Sequence, residues 1–167
     1  MQLILPNPAY EESYKEYIQE LGDEVRYPFP LDFDHSDFSK LLEKLDSFKN
    51  GTGLPEGFVP ATTYWLVEDG ELIGVSNLRH YLNDWLRHAG GHIGLGIRPS
   101  YRGKGLGSLL LRLSVEKAVE LGIKEAHVYC HKGNEPSARM IRANGGELES
   151  EIEDDGEIIQ RYVVNAP

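Results

Sequence analysis

One run of residues constrains this chain more than any other: Ile97-Arg98-Pro99-Ser100-Tyr101-Arg102-Gly103-Lys104-Gly105-Leu106-Gly107-Ser108. His92 to Arg98 precedes it as a strand that Pro99 stops, and Leu106 to Leu121 follows as a helix that Gly122 closes. Gly103, Gly105 and Gly107 remove side chains where the turn enters the helix, so successive main-chain N–H groups can converge on an anion. The helix N-terminus adds partial positive charge, and Arg102 and Lys104 supply cations. That combination suits a pyrophosphate. A P-loop needs Gly-Lys-Ser/Thr, which does not occur, and alternating glycines do not match the G-x-G-x-x-G spacing of a dinucleotide fold. The plain alternative is a glycine-rich turn with no ligand.

The flanking segments place this turn in a mixed sheet. Met1 to Leu5 reads as a strand, Ala9 to Leu21 as a helix stopped by Gly22, and Phe38 to Phe48 as a helix capped by Asp34 or Ser36. Thr62 to Val67 and Leu72 to Tyr81 form a hairpin about Asp69-Gly70, and Asn83 to Gly91 is a polar connection. On the long helix, Leu106, Leu109, Leu110, Leu113 and Lys117 lie along one stripe. Glu125 to His131 is a strand, Pro136 to Ala143 a helix that Asn134 can cap, and Glu147 to Ile152 with Glu157 to Val164 a closing hairpin. The strand–helix–strand unit through the glycine turn is expected to be parallel and right-handed. The fold class is therefore mixed α/β. At 167 residues one domain is expected, large enough to bury a core without staples.

Charge narrows the partners. Seventeen basic against 27 acidic residues give −10, which repels phosphate backbones and anionic lipid, so neither nucleic acid nor membrane is expected and a small basic substrate would be drawn in. No stretch reaches the apolar length of a membrane span, and Met1–Pro6 is too short for a signal peptide. The single cysteine, Cys130, excludes an internal disulfide and a multi-cysteine zinc site; no metal is expected, and a reducing cytoplasm is the simplest location.

Arg102-x-x-Gly105-x-Gly107 resembles the R/Q-x-x-G-x-G/A signature of GNAT-type N-acetyltransferases. The strand end Ile97-Arg98-Pro99, the strand at Val128-Tyr129, and Asn134-Glu135-Pro136-Ser137 followed by Gly145-Gly146 fall in the family's order, so the resemblance spans most of Thr62 to Val164. Val59 to Trp65 and Gly91 to Gly94 also resemble an uncharacterised predicted-acetyltransferase branch. The resemblance implies a mostly antiparallel central sheet of seven strands, splayed at a β-bulge, with four or so flanking helices. It implies one acetyltransferase domain over residues 1–167, its cofactor half near 90–145, and acetyl-CoA as cofactor. Ile97 and Arg98 would hold pantetheine; Arg102, Gly103, Lys104, Gly105, Leu106, Gly107 and Ser108 the pyrophosphate; Asn134 would contact the cofactor near its pantetheine, with Ser137 nearby. Asn134 equally reads as a plain helix cap.

Direct transfer requires a neutral amine, hence a proton acceptor, and a donor to the developing oxyanion. His92, at the start of the strand before the motif, is the expected base, with packing between glycines as its alternative reading. The family's usual acid, a tyrosine, falls on Ile141, which cannot donate; Tyr129 or Tyr101 would replace it, or a thiolate would leave unaided. Asn77, Arg79 and His80 on the neighbouring strand are candidates to line the acceptor pocket. Cys130 reads as a buried structural thiol, since His131 points to the opposite strand face. Glu147, Glu149, Glu151 and Glu153 would form a carboxylate row, as a charged edge or a funnel for a cationic amine. The two helices before Pro60 shape either the acceptor pocket or a face for a homodimer.

The expected activity is acetyl transfer from acetyl-CoA to an amine of a small molecule or an exposed amino group. A catalytically silent CoA-binding sensor or regulatory module is the alternative, and a binding protein for another phosphate ligand is a third.

Overall fold

The computed structural model describes the whole chain, Met1–Pro167. Its elements are β1 (Gln2–Ile4), α1 (Glu11–Leu21), α2 (Phe38–Asn50), β2 (Ala61–Glu68), β3 (Glu71–Arg79), β4 (Ile93–Ile97), α3 (Leu106–Glu120), β5 (Glu125–His131), α4 (Glu135–Ala143), β6 (Glu147–Asp154) and β7 (Glu157–Asn165). The seven strands form two antiparallel sheets, ordered β1-β2-β3-β4 and β5-β7-β6. Both hairpins turn where the sequence requires: Asp69-Gly70 and Asp155-Gly156 all adopt positive φ, which sets a twist-matched two-residue turn.

Helices cover both faces of the first sheet. Tyr14, Tyr17, Leu41 and Leu45 of α1 and α2 pack on Trp65 and Val75, while Leu111, Val115 and Ala118 of α3 join Leu78, Val128, Ile141 and Tyr162 in a second core. The buried stripe of α3 is Leu110, Leu111, Ser114, Val115 and Ala118, rotated from the one its leucines predict. Ser114 tolerates burial because its hydroxyl donates to the Leu110 carbonyl and meets Ser76 Oγ of β3 at 2.7 Å. Two further expectations shift. Asp37 caps α2 through the Lys40 N–H, while Asp34 bonds the Ser36 N–H in the preceding turn. The polar connection before β4 contains a π-type turn, Leu86–Gly90, whose Leu86 is buried.

The strand–helix–strand unit β4–α3–β5 closes without a parallel ladder. Its two strands meet at one point, where the His92 N–H donates to the His127 carbonyl at 2.7 Å and the His127 N–H donates to His92 Nδ1 at 2.9 Å. Gly91 is required there: at φ +70° it lies so close to β5 that a Cβ would stand 2.7 Å from the His127 carbonyl oxygen. Beyond this pin the strands diverge and the sheet splits. On the far edge, the β6–β7 register shifts between Leu148 and Ser150. This bulge at Glu149 puts Glu147 on one face and Glu151 and Glu153 on the other, so no continuous carboxylate row forms.

Candidate functional site

The turn from β4 into α3 is built around unpaired main-chain donors. The last N–H groups before it are used: Tyr101 donates to Arg98 and Arg102 to Pro99. From Gly103 to Ser108 six consecutive N–H groups have no acceptor in the protein, and the ladder resumes when Leu109 donates to Gly105. Gly103 and Gly105 hold φ of +77° and +75°, and a Cβ on either would meet nothing within 4 Å, so the concave side is open. Lys104 lies outside, its ammonium 5.3 Å from the Tyr101 ring centroid. Such a row of N–H groups at a 15-residue helix N-terminus is complementary to a diphosphate.

The edge of β4 continues that surface. The His92 carbonyl accepts from the Arg79 N–H, and the Arg98 N–H donates to Ile73, so even-numbered residues of β4 pair with β3. By strand alternation the main-chain groups of Leu95 and Ile97 face the split. An extended amide chain could pair there as an added strand. The Ile97 N–H is therefore left unpaired by β3. The Arg98 N–H is instead consumed by β3 and its guanidinium by the fold: it bonds Glu20 at 2.8 Å, Glu71 at 2.9 Å and Glu16 at 3.2 Å. Arg102 is likewise engaged, its guanidinium on both Glu24 oxygens and its Nε on the Ile97 carbonyl.

Between the diverging strands lies a cavity of about 410 Å³. Leu95, Tyr129, Cys130, His131, Asn134, Ser137 and Ile159 line one part, and Tyr27, Arg79, Trp85, Ala89 and Gly90 the other. It therefore passes from the α3–α4 side of the sheet to the α1–α2 side. A second cavity of about 510 Å³ adjoins it and shares Tyr27, Arg79 and Trp85; Phe29, Phe58, Val59, Ala61 and Leu86 make it largely apolar.

The candidate side chains sort by what they touch. His92 does not have the geometry of a base: its Nδ1 lone pair is taken by the His127 N–H. Burial, with the positive surroundings of His127, Arg79 and Arg87, lowers its pKa to about 4, so the ring is neutral and pins β4 to β5. Tyr129 lines the first cavity, but its hydroxyl donates to the Arg87 carbonyl at 2.8 Å and burial raises its pKa, which makes it an anchor for the π-type turn. Asn134 caps α4 through the Ser137 N–H at 3.3 Å and also lines the cavity with Ser137. Ser108 meets Asn144 through its hydroxyl.

Of the three expected pocket residues, Asn77 and Arg79 on β3 and His80 just after it, Arg79 alone reaches the two cavities. His80 bonds Thr62 Oγ1 at 2.7 Å, and Asn77 is buried against Thr63 with its Oδ1 unpartnered. Cys130 is half-buried and at the cavity wall, with burial raising its pKa, so it is no ready thiolate. Ile141 is buried in the core, which leaves α4 without a phenol at the split. His131, which strand alternation set apart from Cys130, also lines the first cavity, and its Nδ1 meets Glu157 at 2.8 Å. The sequence did not single out Tyr27, Phe29, Phe58 and Trp85, loop aromatics that no helical or strand period marks.

Comparison with known proteins adds to this geometry. The family model described as the acetyltransferase (GNAT) family matches residues 14–145. No curated protein matches the chain. Among solved structures, ribosomal-protein-S5-alanine acetyltransferase from Vibrio fischeri is similar at TM-score 0.71 and 17% identity, over 98% of this chain and 92% of its own. A variant of spermidine N-acetyltransferase SpeG from Vibrio cholerae gives 0.67 and 12%, over 99% and 95%. The putative acetyltransferase yncA from Salmonella typhimurium, solved with acetyl-CoA, gives 0.63 and 15%, over 98% and 92%. At these identities the likeness is one of fold.

Proposed function

The chain belongs to the acetyltransferase (GNAT) family, whose acetyl donor is acetyl-CoA, and on that premise we propose that it moves the acetyl group directly to a primary amine of a small molecule or an exposed amino group. The observation that carries this is the row of six acceptor-free N–H groups from Gly103 to Ser108, placed beside a split sheet with a cavity running through it. In this reading the N–H row holds the diphosphate, the main-chain groups of Leu95 and Ile97 pair with the pantetheine amides, and Asn134 and Ser137 flank the thiol end. When bound, the cofactor supplies a thioester carbonyl. The unit of function is one domain, residues 1–167, working in the cytoplasm.

The chain's own residues must remove a proton from the amine. His131 is assigned that part in place of His92. Its Nδ1 is engaged by Glu157, which orients the ring and leaves Nε2 as the proton acceptor at a cavity-lining position. Desolvation of the cavity by Trp85, Leu95 and Ile159 favours the neutral amine over ammonium.

Titration calorimetry with CoA and a thiol-release assay over an amine panel test the reading. Gly105→Glu places a carboxylate in the N–H row and should weaken CoA binding by at least about 100-fold; unchanged affinity would move the cofactor elsewhere. His131→Gln should lower kcat about 100-fold with CoA affinity retained. The burial of Ile141 favours a second reading, a CoA-binding sensor without turnover. Tight CoA binding with no thiol release on any amine would select it.

A further inference from the structure

We propose that the acceptor is a free α-amino acid with an apolar or aromatic side chain, its carboxylate held by Arg79 where the two cavities join. This rests on the reading above, in which the first cavity carries the transfer. Arg79 is 7% exposed and has no carboxylate within 4 Å. Its Nη1 donates to the Gly90 carbonyl at 3.4 Å; the Tyr27 hydroxyl supports its charge against desolvation, and the Phe29 ring centroid lies 5.8 Å away. Those contacts leave most of a five-donor fork without acceptors at the wall of both cavities. A planar, buried guanidinium in that state is matched by a carboxylate, which it binds through two parallel hydrogen bonds.

The cavities supply the other two substituents. An α-amino acid carries its amine and its side chain on the carbon beside the carboxylate. With the carboxylate on Arg79, the first cavity takes the amine toward Ser137 and His131. The second takes the side chain among Phe29, Phe58, Val59 and Trp85. That pocket lies in the size range of small-ligand sites, and its one acid, Glu56, is solvent-exposed. An amine lacking a carboxylate would leave the buried guanidinium without a partner, which is how a polar site rejects an analogue that omits the group.

The experiment compares phenylalanine, phenylalanine amide and phenethylamine in the thiol-release assay. It adds N-acetylphenylalanine and N-acetylphenethylamine titrated into the CoA-saturated protein. The carboxylate-bearing compounds should be preferred at least about 100-fold in kcat/KM and in affinity, and Arg79→Met should abolish that preference while CoA affinity stays unchanged. Arg79→Lys, which keeps the charge but not the fork, should retain part of it. Equal use of phenylalanine amide would indicate a peptide N-terminus and overturn the assignment. So would equal affinity for the two acetylated compounds, or affinity for neither. Absence of CoA binding would instead overturn the cofactor reading, and this inference with it.

Discussion

Arg98 and Arg79 sit at opposite ends of the β3–β4 ladder, 6% and 7% exposed, and their surroundings differ completely. Arg98 faces Glu16 and Glu20 of α1 and Glu71 of β3, with Ser13 Oγ and the Leu72 carbonyl filling its remaining positions. Burial opposes the Glu20 carboxylate, but the Ser100 N–H and hydroxyl and Arg98 overcome it and hold its pKa below the ordinary value. That end of the sheet is finished by the protein itself. Arg79 meets a carbonyl, a phenol and an aromatic ring, and opens on two cavities. An internally neutralised charge belongs to the fold, whereas the open guanidinium of Arg79 is the group to which the proposed carboxylate would bring a partner.

The largest expected effect breaks the sealed end. Arg98→Met should cost about 3 kcal/mol in urea unfolding, toward the low end for a buried pair because the three carboxylates are 29% to 56% exposed. The cost should shrink as pH falls through the lowered pKa of Glu20, since protonation removes the attraction in the wild type as well. A loss at neutral pH below about 0.5 kcal/mol would show that Arg98 is not the anchor of that end.

Next comes the pin beside the open end. His92 titrates at about 4 in the fold and at 6.5 when unfolded, so its contribution is complete above pH 6.5 and lost as pH falls toward 4. About 3 kcal/mol of stability should disappear across that window. His92→Asn, whose Oδ1 can accept the same N–H, should remove the dependence while retaining most of kcat. A collapse of kcat with stability intact would restore His92 as the base. The smallest effect sharpens the contrast most: Arg79→Met should leave stability unchanged or raise it by about 1 kcal/mol, because no ion pair is lost. It should also raise the His92 pKa, since one of the cations lowering it is gone. Destabilisation comparable to Arg98→Met would make the two ends alike.

Much of the cradle was legible beforehand. Alternating glycines between a strand and an apolar helix are a local pattern, and the N–H row they free is set by helix geometry within a few residues. The hairpins at Asp69-Gly70 and Asp155-Gly156 were equally local. What failed to show was long-range. Arg98 is claimed by α1 residues 78 and 82 positions away. His92 is disarmed by an N–H 35 positions away. His80 and Arg79 are neighbours in sequence, yet strand alternation sends only Arg79 to the cavities. His131 gained its assignment from Glu157 on the paired strand, and the bulge at Glu149 broke a carboxylate row that strict alternation would have kept whole.

The amino-acid sequence by itself determined the mixed sheet, the order of its elements and the anion-ready turn, because turn chemistry, residue period and helix termini act over a few bonds. Tertiary structure alone decided where the sheet splits, which arginine is sealed and which is open, and which aromatics wall the second cavity. Those outcomes depend on desolvation and on partners supplied by distant segments, and neither exists until the chain has folded.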